Sequence, residues 1–273
     1  MLAQLPARFS LKPVLAMLAA LLVAACMQTN EITGRDQFMM IPASEDSRLG
    51  LEAMQQVKDN APVLTTGPMA ERVKRIGQRI ARVSDKPDMT WEFVVIDEPQ
   101  LNAWALPGGK VAVYAKMMQE IDDDQQLAAV LGHEIAHAVL RHGAEQMSRA
   151  QAQNVAIAGL GVAVGASTDS QTAGMAVALG SLAAKGLVQL PHSRFMELEA
   201  DHIGTRYMAR AGYDPRASVA LWQRMNSLKE GGGGQPVWLS THPADDKRIR
   251  ELQARMPVYM QEYRATVGQP APN

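Results

Sequence analysis

Only one cysteine, Cys26, occurs in the 273 residues, so no internal disulfide can staple the fold and a buried core must hold it. Aromatic residues make up just 5% of the chain and the formal net charge is −1. No run of basic residues with interleaved aromatics is present, which argues against nucleic acid as a partner. There is no internal repeat. There is also no Gly-x-Ser-x-Gly elbow, so serine-esterase chemistry lacks its motif. Long apolar runs are scarce: Val14–Ala25 falls short of the roughly 20 residues a helix needs to span a bilayer. What remains is 47% apolar, enough chain to bury one large core without covalent help.

Against that background His133-Glu-Ile-Ala-His137 is the most informative stretch. On a helix, positions i and i+4 lie one above the other, so both rings can reach a single ion at about 2.0–2.1 Å. Glu134 then stands beside the ion without occupying it, in the place of a general base. A pentapeptide of this kind also arises by chance on buried helices, so a further ligand must be found: catalytic zinc takes three protein ligands and keeps a fourth position open. A third His six residues after the second is absent. His142 lies five residues beyond His137 and is rotated away on a continuing helix. It is expected to complement the helix dipole together with Arg141, with Gly143 supplying the stop.

Sixty residues downstream, Ser193-Arg-Phe-Met-Glu197-Leu-Glu-Ala-Asp201-His-Ile-Gly204 has the periodicity of a second helix. Glu197 and Asp201 share one face, so Glu197 is assigned to the ion and Asp201 to the free N–H of a ligating imidazole. Glu199 points elsewhere and is expected to be a solvated charge, although the residues alone leave the two glutamates interchangeable. Asp214-Pro215 should open another helix running to about Leu228, followed by the flexible Gly231–Gly234. Then comes Ser240-Thr-His242-Pro243, with Arg248 in a final helix. His242 and Arg248 are candidate catalytic residues on the opposite cleft wall, placed to bond a developing oxyanion. His242 has a second possible use as a latch on the open metal position. The plain alternative is that Ser240 or Thr241 caps the last helix.

Upstream, helices are expected around Glu45–Asn60 and Pro68–Ser84 and a strand at Trp91–Ile96. A hairpin should follow across Leu101–Tyr114, because Pro107-Gly108-Gly109 separates two short apolar runs. The segment 150–184 is rich in Ala and Gly, with apolar stretches of about a dozen residues, too short to cross a membrane. It is expected to form a helical hairpin over the cleft, with a surface-dipping role as the alternative.

HEIAH, then SRxxExEAD, with NAWALPGG before and STHP after, resembles the gluzincin metallopeptidases that include the CAAX prenyl endopeptidases and bacterial HtpX. The likeness is strongest to their periplasmic lipoprotein branch of LoiP/BepA type, and it covers roughly Glu31 to Arg255. It implies an α+β, mostly helical, zincin-like fold with a small antiparallel sheet. It implies one Zn2+ held by His133, His137 and Glu197, with Glu134 as base, and Asn102, Ala103, Trp104 and Ala105 as substrate-facing backbone. It also implies endopeptidase action on misfolded or misassembled envelope proteins, with the outer-membrane assembly machinery as a candidate partner. The alternative is a non-catalytic, chaperone-like lipoprotein, which would have no need of a general base.

The N-terminus sets the expected compartment. Arg8 and Lys12 precede the apolar run, which ends in Val-Ala-Ala-Cys26, the pattern of a signal peptide with a lipobox. Acyl chains on Cys26 would then hold the protein on a membrane. Met27 rather than Asp after the cysteine points, by likeness to bacterial lipoproteins, to the periplasmic face of the outer membrane. The expected organisation is a signal peptide over 1–25, a lipidated linker over 26–44, a zinc metallopeptidase domain over 45–265 and a disordered tail over 266–273.

Overall fold

The computed structural model describes residues 25–121, 123–165, 193–230, 236–243 and 246–268. The signal peptide (all but its last residue), the greater part of the hairpin expected over 150–184, the glycine stretch 231–234 and the tail beyond 268 lie outside the described residues.

Helices dominate, as expected. A two-stranded antiparallel ribbon, β1 (Met27–Thr29) with β2 (Asp36–Phe38), opens the described chain. After it come α1 (Asp46–Asn60), β3 (Val63–Leu64), α2 (Pro68–Ala81), β4 (Glu92–Ile96), β5 (Ala103–Leu106), β6 (Lys110–Tyr114) and the short α3 (Ala115–Glu120). The main sheet has the order β3-β4-β6-β5, with β4 and β6 parallel and the two outer pairings antiparallel. The predicted hairpin is the β5–β6 pair, in register Ala103↔Val113. Its turn sets Gly108 at φ 72° and Gly109 at φ 81°, the positive dihedrals that a two-glycine turn supplies without a Cβ clash.

The sheet rests on α2, whose Val73, Ile76 and Ile80 recur at helical spacing and are fully buried. Beside α2, and also packed on β5 and β6, lies α4 (Asp124–Val139), the helix that carries HEIAH. Asp123 caps it by accepting from the Gln125 N–H at 3.0 Å. Every residue from Leu127 to Val139 is buried, so this helix is the centre of the core and its polar residues must find partners inside the protein. The remaining helices are α5 (His142–Gly165), α6 (Arg194–Arg210), α7 (Arg216–Glu230), α8 (Val237–Thr241) and α9 (Asp246–Val267); α6 and α7 pack on α4, and α9 packs on α6 and α7. No described helix is long and apolar enough to cross a membrane.

The end of α4 departs from expectation. Gly143 is not the stop, since it lies inside α5. The turn is made by Arg141, the one non-glycine residue with positive φ among the described residues, at 58°. Asp46 holds it there, accepting from Arg141 Nε at 2.6 Å and Nη2 at 3.0 Å.

Two glycines set how closely α4 and α6 approach. A Cβ on Gly132 would stand 2.7 Å from the Gly204 carbonyl oxygen, and one on Gly204 would stand 2.8 Å from the His133 nitrogen. Gly204→Ala is therefore expected to destabilise by about 1–3 kcal/mol, read as a lower midpoint in thermal unfolding. Gly143→Ala meets only the Pro107 ring at 3.9 Å and should leave the midpoint unchanged or slightly raised. Equal midpoints for Gly204→Ala and wild type would refute the close-packing account.

Candidate metal centre

On α4, His133 and His137 project from one face, one turn apart, with Glu134 beside them, and all three side chains are buried. Ser193 caps α6, accepting from the Met196 N–H at 3.3 Å, and this starts the helix so that Glu197 falls in its first turn, facing the two imidazoles. His133 Nε2 lies 3.0 Å from His137 Nε2. Glu197 places Oε2 3.4 Å from His133 Nε2 and Oε1 3.4 Å from His137 Nε2. Donors sharing a tetrahedral ion at 2.0–2.1 Å stand about 3.3–3.4 Å from one another. These separations, and the mix of imidazole and carboxylate, fit zinc.

Charge gives a second test of the fit. Glu134, Glu197 and Asp201 are three buried carboxylates, and among the described residues the buried Arg248 is the guanidinium set against them. With the imidazoles neutral, as metal ligation requires, three negative charges less one positive leave an excess of two, which a divalent cation would neutralise.

His242 belongs to the same cluster. Its Nδ1 stands 3.1 Å from His133 Nε2 and 3.1 Å from Glu197 Oε1, at the fourth corner of the donor set. Its Nε2 faces Glu134 Oε1 at 3.6 Å. Arg248, by contrast, is turned onto the carboxylates: Nε and Nη2 donate to the two Asp201 oxygens at 2.6 and 2.7 Å, and Nη1 pairs with Glu197 Oε2 at 2.7 Å. Asp201 in turn brings Oδ1 to 3.0 Å from His133 Nδ1, close enough to pair although short of hydrogen-bond alignment. Its position is the one assigned from the helix period.

Burial would push the His133 imidazole down, but the neighbouring Asp201 and Glu197 carboxylates outweigh that and raise it to about 9. Burial likewise disfavours ionised Glu197, yet the positive fields of His242 and Arg248 hold it well below the usual carboxylate range. Asp201 is held down in the same way by Arg248 against its own burial.

Several residues of the centre were not anticipated. Trp238 donates Nε1–H to Glu134 Oε1 at 3.0 Å, and Trp222 donates Nε1–H to Asp201 Oδ1 at 3.1 Å. The two indoles stack 4.8 Å apart, and the Arg248 guanidinium lies 3.5 Å over the Trp222 ring. The available signal was rarity: these are two of only four tryptophans, one of them four residues before His242. Glu199 is not the solvated charge expected of it, because it accepts from Arg35 Nε at 2.7 Å and meets His142 Nε2 at 3.2 Å. Asn102 and Ala103 are buried at the start of β5, while Trp104 and Ala105 are half-buried. Cys26 is half-buried just before β1.

The family model of peptidase family M48 matches residues 69–256, which include both ligand-bearing helices. The mitochondrial metalloendopeptidase OMA1 of Schizosaccharomyces pombe is 34% identical over 229 residues, covering 83% of this chain and 65% of that protein. The corresponding mitochondrial metalloendopeptidase of Danio rerio is 30% identical over 254 residues, 88% of this chain and 52% of its own length. The beta-barrel assembly-enhancing protease of Escherichia coli K12 is 27% identical over 213 residues, 77% and 44% respectively. This chain thus spans about half to two thirds of the length of these relatives. They correct the expected location at the periplasmic face of a bacterial outer membrane, because the mitochondrial enzymes match at higher identity than the bacterial protease does. Ligand helices in this order and geometry, matched by the family model over more than half of the residues, make the chain a member of peptidase family M48, a family of zinc metallopeptidases.

Proposed function

We propose that this chain is a zinc-dependent endopeptidase that cleaves misfolded or misassembled proteins at a membrane. The observation that carries the reading is the buried donor set of His133, His137 and Glu197, with the Glu134 carboxylate beside it. Zinc, when bound, supplies a Lewis acid for the scissile carbonyl and lowers the pKa of the attacking water. Glu134, oriented by the Trp238 N–H, takes the proton from that water and passes it to the departing amine. Asp201 and Arg248 hold His133 and Glu197 in place from behind.

The substrate class follows from β5. It is an outer strand of the sheet, and its pairing with β6 turns the Ala103 and Ala105 main chain away from the partner. A substrate adding there would be held by main-chain hydrogen bonds, with little demand on its side chains, which suits unfolded polypeptide. The likeness to the Escherichia coli beta-barrel assembly-enhancing protease supports a quality-control role. Membrane attachment through acyl chains on Cys26 is the further part of this reading. The Cys26 carbonyl accepts from the Met39 N–H at 2.7 Å, which ties this residue to the chain just after β2.

His242 acts in this reading as a latch. Its ring nitrogen closes the fourth corner of the donor set, so the ring must withdraw before water and substrate enter.

Glu134→Gln should lower casein turnover by about 10²–10⁴-fold while the purified protein still carries one zinc per chain; wild-type turnover in that variant would remove the proposed base. His242→Ala is expected to raise casein cleavage, whereas a loss of activity would assign His242 to oxyanion support instead. For Cys26, intact-mass measurement should find acyl chains on the wild type and none on Cys26→Ser. An unmodified wild-type mass would reject the anchor.

A further inference from the structure

His142 is fully buried at the first position of α5, where the preceding turn aims its ring back at the metal centre. Its Nδ1 lies 2.9 Å from His137 Nδ1, the ring nitrogen on the far side from the donor cluster. Its Nε2 lies 3.2 Å from Glu199 Oε2. That same carboxylate oxygen accepts from Arg35 Nε at 2.7 Å, and the other arms of Arg35 grip the buried Glu145 at 2.7 and 3.1 Å. Three side chains, His142, Glu199 and Arg35, thus connect the second histidine of HEIAH to the β1–β2 ribbon. Arg35 lies outside the residues that the family model matches.

The direction of each hydrogen bond follows from what each group can give. A carboxylate gripped by a guanidinium has no proton to donate, so the proton between Glu199 and His142 sits on His142 Nε2. A neutral His142 then presents a lone pair at Nδ1, and the close contact with His137 requires His137 Nδ1 to carry a proton. The lone pair of His137 is thereby placed on Nε2, the atom facing His133 and Glu197. We infer that His142 is a positioning residue that fixes His137 as a metal ligand, and that Arg35, through Glu199, extends this control to the N-terminal ribbon. Asp201 performs the equivalent service for His133 from the opposite side. The inference rests on the zinc reading above, and it adds a second support, contributed in part by a segment before the matched domain.

The test is zinc affinity of the full chain, measured by competition with a chromophoric chelator. His142→Leu removes the acceptor and should weaken zinc by about 10–100-fold. His142→Asn offers an amide oxygen close to the place of Nδ1 and should recover most of that loss. Arg35→Met should weaken zinc less than His142→Leu and add little in the double variant, because the two act along one chain of contacts. A His142→Leu affinity within twofold of wild type overturns the inference, and so does His142→Asn binding as weakly as His142→Leu. If His142→Leu does not fold, the 15N ring shifts of the metal-free wild type decide: a proton on His137 Nδ1 supports the relay and one on Nε2 overturns it. A wild type that takes up no zinc would sink the site reading itself, whereas normal uptake with insensitive variants sinks only the relay.

Discussion

The metal centre depends on two helices touching backbone to backbone. Gly132 sits directly before His133, and Gly204 lies two turns past Glu197, so the closest approach of α4 and α6 falls next to the site. With a side chain at either position the helices would separate, and a short carboxylate on one could no longer share a corner with two imidazoles on the other. Burial follows from the same approach. Because α6 and α7, with the Trp238 indole from α8, cover the polar face of α4, the carboxylates are removed from water, where their interactions strengthen and unpaired charge becomes costly.

That cost shapes the rest of the centre. The stacked Trp222 and Trp238 each deliver one N–H, to Asp201 and Glu134 respectively, so a single apolar unit satisfies two carboxylates on different helices. Arg248 completes the arrangement by lying flat on Trp222 while its planar fork engages Asp201 and its third nitrogen engages Glu197. A lysine could not do both, since it lacks the planar face and the paired donors. Orientation of the ligands and exclusion of water therefore come from the same few side chains.

Much of this was legible in the sequence because helical spacing is a local code. The i, i+4 pairs His133 with His137 and Glu197 with Asp201 reach the centre together, and the Pro-Gly-Gly turn appears where two positive φ values are needed. The choice between Glu197 and Glu199 was not local: it is decided by which face of α6 meets α4 and which meets Arg35, 164 residues away. The contacts of Trp238 with Glu134 and of Arg248 with Asp201 span 104 and 47 residues, and no periodicity announces them. Location is carried differently: the leader-like pattern is short and local, whereas the likeness to the Schizosaccharomyces pombe and Danio rerio mitochondrial enzymes runs through the body of the chain and exceeds that to the Escherichia coli protease.

The placement of His142 shows most clearly how one dihedral redirects a spacing argument. On an uninterrupted helix, five residues carry a side chain roughly 140° around the axis from His137, and the two rings could not meet. Arg141 breaks the helix in the left-handed conformation, at a cost of about 1–3 kcal/mol for a residue with a Cβ. Glycine would adopt that dihedral with less strain, but it would bring no guanidinium. Arg141 uses its guanidinium to bind Asp46 at the start of α1 and the Ile41 carbonyl, so the strained turn is anchored to the same N-terminal region that supplies Arg35. The chain after β2 and the ribbon before it therefore grip the α4–α5 corner from two directions. One grip holds the turn, and the other holds the residue that the turn presents to His137.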